Sequence, residues 1–240
     1  AGGSGTGAVS WKSSDPTVAS INSGSGLVTV HKSGSATITA TKLTDGNYGE
    51  TTATWSFSAE KRPATAIVTA KDKEYDTTAN AELVITWRDG DLLRGDIDTI
   101  KLDGVLSGTF NDANAGNNKT VNISGTVPVS DKYEITFNKT TTASITQKAA
   151  SVSGSTPTEL TYDGSKKQLV TGVTATNGTL AYSRDGSYYT LSVPTETNAG
   201  TYTVWYKAQA DADGNYKDSP AVRVDVTIEP KPVNDPEIEL

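Results

Sequence analysis

The chain has 240 residues, and its 21 Lys and Arg against 28 Asp and Glu give a net charge of −7. This charge disfavours binding to nucleic acid or anionic lipid, and no apolar run is long enough to predict membrane insertion. The absence of Cys excludes disulfides, thiolate metal sites and a Cys nucleophile. The absence of Met leads us to expect that the chain is a piece of a longer protein.

The composition indicates an all-β fold. Thr is abundant, and β-branched side chains suit the pleated surface of a sheet. The 22 Gly and 9 Pro interrupt the sequence at short intervals, as turns between short strands do. No segment of helical length shows a convincing helical period.

The first segment alternates short apolar runs with turns. Leu27 to Val30 and Ala36 to Ala40 have the two-residue period of strands. The phrase Asp45-Gly46-Asn47-Tyr48 follows, and then the predicted strand Thr51 to Ser58. We call this arrangement of a turn, a Tyr and a last strand the closing phrase.

The second segment has an opening phrase, Tyr75-Asp76-Thr77, and a middle phrase, Asn114-Ala115-Gly116. Its closing phrase is Ser130-Asp131-Lys132-Tyr133. Asp89-Gly90 is a hairpin-turn signal between them.

The third segment repeats all three phrases. Tyr162-Asp163-Gly164 opens it, Asn198-Ala199-Gly200 lies in its middle, and Asp213-Gly214-Asn215-Tyr216 closes it. Thr201 to Gln209 and Ala221 to Ile228 alternate between inward and outward residues, as half-buried strands do.

These repeats divide the chain into modules at 1–63, 64–150 and 151–230, with a linker tail at 231–240. Each module is predicted to be a β-sandwich. The modules are expected to join end to end as an elongated array.

Three stretches resemble known bacterial modules. Residues 9–21, 26–30 and 34–40 are similar to a group 2 bacterial Ig-like repeat, and residues 75–77, 108–110, 114–116 and 119–121 resemble a YDG-type module. Residues 162–164, 182–183, 185–186 and 199–204 are similar to a related Ig-like surface module. The group 2 family has one or two strands before the position of Val9, so the first module is predicted to be truncated at its N-terminus.

The resemblance implies three tandem Ig-like β-sandwich modules in a secreted or cell-surface protein, with no shared catalytic residues. We therefore expect a non-enzymatic stalk or adhesin segment. The alternative is a set of carbohydrate-binding accessory modules of a secreted polysaccharide-degrading enzyme. The expected partners are glycans or surface proteins, and neither nucleic acid nor a cofactor is expected. A monomer is predicted, with pairing through the open edge of the first module as the alternative.

Polar motifs in the sequence do not add up to a catalytic or metal site. Asp211 and Asp213 alternate as in a calcium loop, but the later bidentate Glu is absent, so a turn is predicted instead. Residues 94–96 spell Arg-Gly-Asp, which also fits a turn between strands. His31 is the only His and is expected to be a solvated hairpin residue.

Two groups of aromatic residues lead to different expectations. Tyr48, Tyr133 and Tyr216 recur before a last strand, so each is predicted to place its ring in the core and its hydroxyl on the backbone. Outward Trp205, with Tyr188 and Tyr189, forms either a strip that stacks on sugar rings or ordinary covered structure. Arg223 is expected to stack on Trp205 if their strands are neighbours.

Overall fold

The computed structural model describes residues 4–232, which contain 23 strands and no helix. The predicted linker at 231–240 lies mostly outside these residues. Within the described part of the chain there is no helix long and apolar enough to cross a membrane.

The described part of the first predicted module contains five strands. A three-stranded antiparallel sheet has the order β1-β4-β5, and β2 and β3 form a separate antiparallel pair. Val18, Ala19 and Ala36 form its small core. The strands are β1 (Val9–Ser13), β2 (Ala19–Ile21), β3 (Val28–Val30), β4 (Gly34–Lys42) and β5 (Thr51–Ala59).

The second predicted module contains eight strands in two sheets. One sheet has the order β12-β6-β9 and the other the order β7-β13-β11-β10-β8. Two pairs are parallel, β6 with β12 and β7 with β13. The strands are β6 (Arg62–Ala70), β7 (Lys73–Glu74), β8 (Asn80–Ala81), β9 (Leu83–Trp87), β10 (Leu106–Phe110), β11 (Gly116–Gly125), β12 (Tyr133–Phe137) and β13 (Thr140–Thr146).

The third predicted module is built around a four-stranded sheet of order β16-β23-β21-β19. The pairs β14-β22, β15-β18 and β17-β20 complete it. The strands are β14 (Lys148–Ala149), β15 (Ser151–Gly154), β16 (Glu159–Thr161), β17 (Lys167–Gln168), β18 (Val173–Thr176), β19 (Gly178–Ser183), β20 (Thr195–Glu196), β21 (Gly200–Ala210), β22 (Tyr216–Lys217) and β23 (Val222–Glu229).

The predicted alternation of β21 is confirmed. Val204, Tyr206 and Ala208 are buried, whereas Trp205 and Lys207 between them are half-buried on the opposite face. The inward residues pack with Val226 and Ile228 of β23, because the two strands are hydrogen-bonded neighbours.

One of the two predicted hairpins forms and the other does not. Gly90 and Gly186 do have the positive φ that such turns require, 79° and 76°. Across the Gly186 turn, Tyr182 and Thr190 form an antiparallel bridge with two backbone hydrogen bonds of 2.7 and 2.8 Å. After Gly90, however, β9 is followed by a long irregular segment before β10, so no hairpin forms there. Turn chemistry is local, whereas strand pairing depends on residues that are distant in sequence.

The chain divides into two compact units that differ from the predicted modules. The first comprises the residues up to 69, 82–108 and 123–141, and the second comprises 70–81, 109–122 and the residues from 142 onward. Each unit therefore contains one of the two predicted module junctions.

Candidate functional site

Trp205 lies on β21 between two neighbouring strands, opposite Ser183 of β19 and Arg223 of β23. The Arg223 guanidinium carbon lies 5.7 Å from the centroid of the indole ring, as expected for a cation–π contact. The Gly186 turn covers another part of the indole, because a Cβ built at Gly186 would lie only 3.1 Å from it. Trp205 is therefore half-buried by its own module.

Tyr189 lies on the same side of the module as Trp205, but a lysine covers it. The Lys207 ammonium is 4.4 Å from the centroid of the Tyr189 ring. Lys207 and Trp205 lie on the same outward face of β21. Lys207 also forms an ion pair of 2.6 Å with Asp218. Two of the three candidate aromatic residues are thus held in place by cationic neighbours.

Tyr188 is the accessible member of the candidate set, with 74% of its surface exposed. It borders an open groove of about 290 Å³ whose lining also includes Arg184 and Asp185. Arg184 pairs with Glu196. The polar groups and the exposed ring form a surface suited to weak contact with a polar, ring-bearing ligand.

Asp185 organises the turn that carries Tyr188. Its Oδ1 accepts hydrogen bonds from the Tyr188 and Ser187 amides at 3.0 and 2.8 Å, and from the Ser183 hydroxyl at 2.9 Å. These bonds hold the pKa of Asp185 well below its usual range. The carboxylate therefore fixes the loop and stays ionised at neutral pH.

The residues that resemble a calcium loop serve a turn. Asp213 accepts a hydrogen bond of 2.9 Å from the Asn215 amide, and Asp211 is exposed. Among residues 4–232, no group of three or more His, Cys, Asp or Glu is placed to hold a metal ion.

The Arg-Gly-Asp sequence is not presented as a free tripeptide. Asp96 accepts hydrogen bonds from the Tyr133 hydroxyl at 2.7 Å and from the Lys132 ammonium at 3.0 Å. These two donors lower the pKa of Asp96. The carboxylate of residues 94–96 is therefore already engaged inside the module.

The three recurring tyrosines have different environments. Tyr133 is buried, and its hydroxyl accepts from the Leu93 amide at 3.0 Å, so the prediction of a structural corner holds there. For Tyr48 the prediction is wrong, since 54% of its surface is exposed. Tyr216 is half-buried and packs edge-on against Tyr75, with the ring centroids 5.3 Å apart.

His31 is exposed, as predicted, and its Nε2 lies 2.7 Å from the Ser20 hydroxyl. This contact joins the middle of β2 to the residue after β3. No chemistry beyond the hairpin follows from it.

The sequence of this chain matches two family models. Residues 60–143 match the YDG domain, and residues 1–44 match the intimin immunoglobulin-like domain. No curated protein matches the chain.

Several solved structures share a weak likeness with the chain. The Drosophila N-cadherin EC1-3 structure is 10% identical, with 95% of this chain and 91% of that chain covered and a TM-score of 0.27. Domains 4–9 of the surface layer protein SbsC are 11% identical, with 92% and 39% covered and a TM-score of 0.22. TM-scores of this size do not establish a common arrangement.

The two matches support the resemblance to Ig-like modules of bacterial surface proteins that the sequence motifs indicated. The YDG match spans most of the second predicted module.

Proposed function

We propose that the chain is an extracellular, non-enzymatic segment of a bacterial surface protein that carries mechanical load and holds binding surfaces away from the cell. The observation that carries this proposal is the parallel pairing of opening strands with closing strands. The intimin-type match at residues 1–44 and the YDG match at 60–143 support the surface location.

The third module closes with a parallel pair of strands. β16 near its beginning pairs with β23 at its end, with Glu159 opposite Thr227 and Thr161 opposite Glu229. The Tyr162 amide donates to the Glu229 carbonyl at 2.9 Å, and the Thr227 amide donates to the Thr158 carbonyl at 2.7 Å.

The second module has a similar parallel pairing of an opening strand with its last strand. β7 pairs in parallel with the last strand, β13, and the Tyr75 amide donates to the Thr146 carbonyl at 2.9 Å. β6 also pairs in parallel with β12 over Arg62 to Ala66.

Parallel pairing of opening and closing strands resists tension for a geometric reason. A force at the two ends of a module pulls the opening strand toward its start and the closing strand toward its end. Because the strands run in the same direction, the ladder is sheared and its hydrogen bonds share the load. An antiparallel hairpin pulled apart at one end loses its hydrogen bonds one after another instead.

Single-molecule force spectroscopy on the chain tests this proposal. Tyr162→Pro removes the amide that donates to Glu229 as well as the ring, and Tyr162→Ala removes the ring alone. Forced unfolding reports the unfolding rate, so we expect the third module of the Pro variant to rupture at a lower force than that of the Ala variant. Equal rupture forces in the two variants would refute the load-bearing role.

A further inference from the structure

Both module junctions use the same backbone contact. Arg62, which enters the second module, donates its amide to the Lys132 carbonyl at 2.8 Å. Lys148, which enters the third module, donates to the Asn215 carbonyl at 3.1 Å. In each case the acceptor directly precedes the closing-phrase tyrosine, Tyr133 or Tyr216. The closing loop of a module therefore lies beside the chain that enters that module.

At both junctions the closing loop also contacts the preceding module. The Ser33 amide of the first module donates to the Asp131 carbonyl at 2.9 Å. The Ala115 amide of the second module donates to Asn215 Oδ1 at 2.8 Å. Ser33 and Ala115 hold equivalent places, because each precedes the glycine that begins a long strand, β4 or β11.

Asn215 and Tyr216 make the second junction specific. Asn215 Nδ2 donates to Asn114 Oδ1 at 3.2 Å, and the Asn215 side chain is buried. The Tyr216 ring stands at 84° to the ring of Tyr75. The Asp-Gly-Asn-Tyr phrase of the third module therefore contacts the Asn-Ala-Gly phrase and the opening tyrosine of the module before it.

The third module has the equivalent residues beside the end of its last strand, β23. The Tyr162 amide bonds to Glu229 as the Tyr75 amide bonds to Thr146, each at 2.9 Å. Gly200 begins β21 and lies opposite Ile228 of β23, so Tyr162 and Gly200 flank the end of the last strand. Lys231, two residues after Glu229, corresponds to Lys148, two residues after Thr146.

Within the described part of the chain, no other module packs on this surface of the third module. Asn198, Ala199 and Gly200 are all exposed, whereas Ala115 and Gly116 at the second junction are half-buried. We call Tyr162, Asn198, Ala199 and Gly200 the terminal surface.

We propose that the terminal surface is a docking site for the Asp-Gly-Asn-Tyr loop of a further Ig-like module joined in tandem. The Asn side chain of that loop accepts from the Ala199 amide through its oxygen and donates to Asn198 Oδ1 through its nitrogen. The Tyr ring of the loop packs edge-on against Tyr162. A tandem module is the fitting occupant because the linking chain, through Lys231, pairs with the same loop.

An extended chain tests the proposal. Residues 150–229 are repeated after Pro232, so that Lys231 and Pro232 stand where Lys148 and Ala149 stand in the natural junction. Amide hydrogen exchange at Ala199 is measured by NMR in the natural and extended chains. We expect exchange at Ala199 to slow by at least about tenfold in the extended chain, as it does for an amide that becomes hydrogen-bonded.

A substitution in the appended copy separates docking from mere proximity. Asn215→Ala in that copy removes the acceptor and is expected to return the Ala199 amide to its exchange rate in the natural chain. Asp213→Ala in the same copy leaves that acceptor in place and is expected to keep most of the protection. Unchanged exchange at Ala199 on extension, protection that survives Asn215→Ala, or an appended copy whose core amides stay unprotected would each overturn the proposal.

Discussion

Thr77 has a backbone conformation that its side chain disfavours. Its φ is +70°, in the left-handed region, where a β-branched residue is an outlier. The equivalent residue of the third module, in Tyr162-Asp163-Gly164, is Gly164, with φ +84°. The same left-handed turn position is therefore occupied by Gly in the third module and by the less suitable Thr in the second.

We predict that Thr77→Gly stabilises the chain by about 1 kcal/mol, because the strain of the left-handed conformation is relieved. The matched change, Gly164→Thr, should destabilise by a similar amount. Steric crowding does not confuse the comparison, since a Cβ at Gly164 would meet no atom within 4 Å. Urea unfolding measures both, and a destabilising Thr77→Gly would contradict the prediction.

Trp205 is the residue on which the stacking and structural interpretations differ. Its contacts with Arg223 and Gly186 favour the structural interpretation. We predict that Trp205→Ala destabilises the third module by about 2 kcal/mol, roughly half the loss for a fully buried aromatic residue.

A glycan array decides whether the aromatic surface also binds sugar. If it does, Tyr188→Ala should abolish binding with little loss of stability, because Tyr188 is exposed. The structural interpretation predicts no glycan binding by the natural chain. Binding that is lost in Tyr188→Ala would contradict it and would support the alternative of a carbohydrate-binding accessory module.

At the scale of elements, β5 is an edge strand with much of its surface exposed. Among the strands of residues 4–232 it pairs only with β4, and its Trp55 is 58% exposed while stacking on Phe57. Trp11, Ile38 and Trp55 line an open groove of about 430 Å³ beside it. Exposed edges of this kind pair with other chains.

We predict that the chain self-associates through β5 at high concentration. Thr54→Lys places a charge on the edge and should raise the concentration needed for association. Gln209→Lys adds the same charge on the interior strand β21 and should have little effect. Sedimentation velocity compares the two variants, and an equal effect of both would argue against pairing through β5.

The sequence predicted individual strands better than their partners. The alternation in 201–209 and 221–228 placed β21 and β23 correctly, because side-chain period is a local property. Which strands pair depends on distant residues, so the parallel pairs β7-β13 and β16-β23 had no local signal. The Arg223 contact with Trp205 was foreseeable only on condition that β21 and β23 are neighbours.

The candidate site was predicted only in outline. Alternation placed Trp205 outward, but the cover provided by Gly186 depends on how its turn folds over β21, which no local pattern encodes. The repeated phrases gave another signal that the sequence alone did not explain. Asn215 of the third module and the Asn114-Ala115 segment of the second meet at a junction, a contact that no local pattern encodes.

At the scale of the whole molecule, repetition extends beyond strand order to the contacts between modules. The same amide-to-carbonyl bond precedes Tyr133 and Tyr216, and the same parallel bond follows the opening strands β7 and β16. Under the proposed load-bearing role, tension passes from one closing strand to the next opening strand.

The direct test compares two pulling directions through the third module of the full chain. Because the chain has no Cys, introduced cysteines are unique attachment points. Ser155→Cys with Pro230→Cys loads the parallel pair β16-β23 in shear, whereas Gln209→Cys with Pro220→Cys peels the antiparallel pair β21-β23 from one end. The account predicts a clearly higher rupture force for the first pair of attachment points. An equal or lower force for that pair would contradict it.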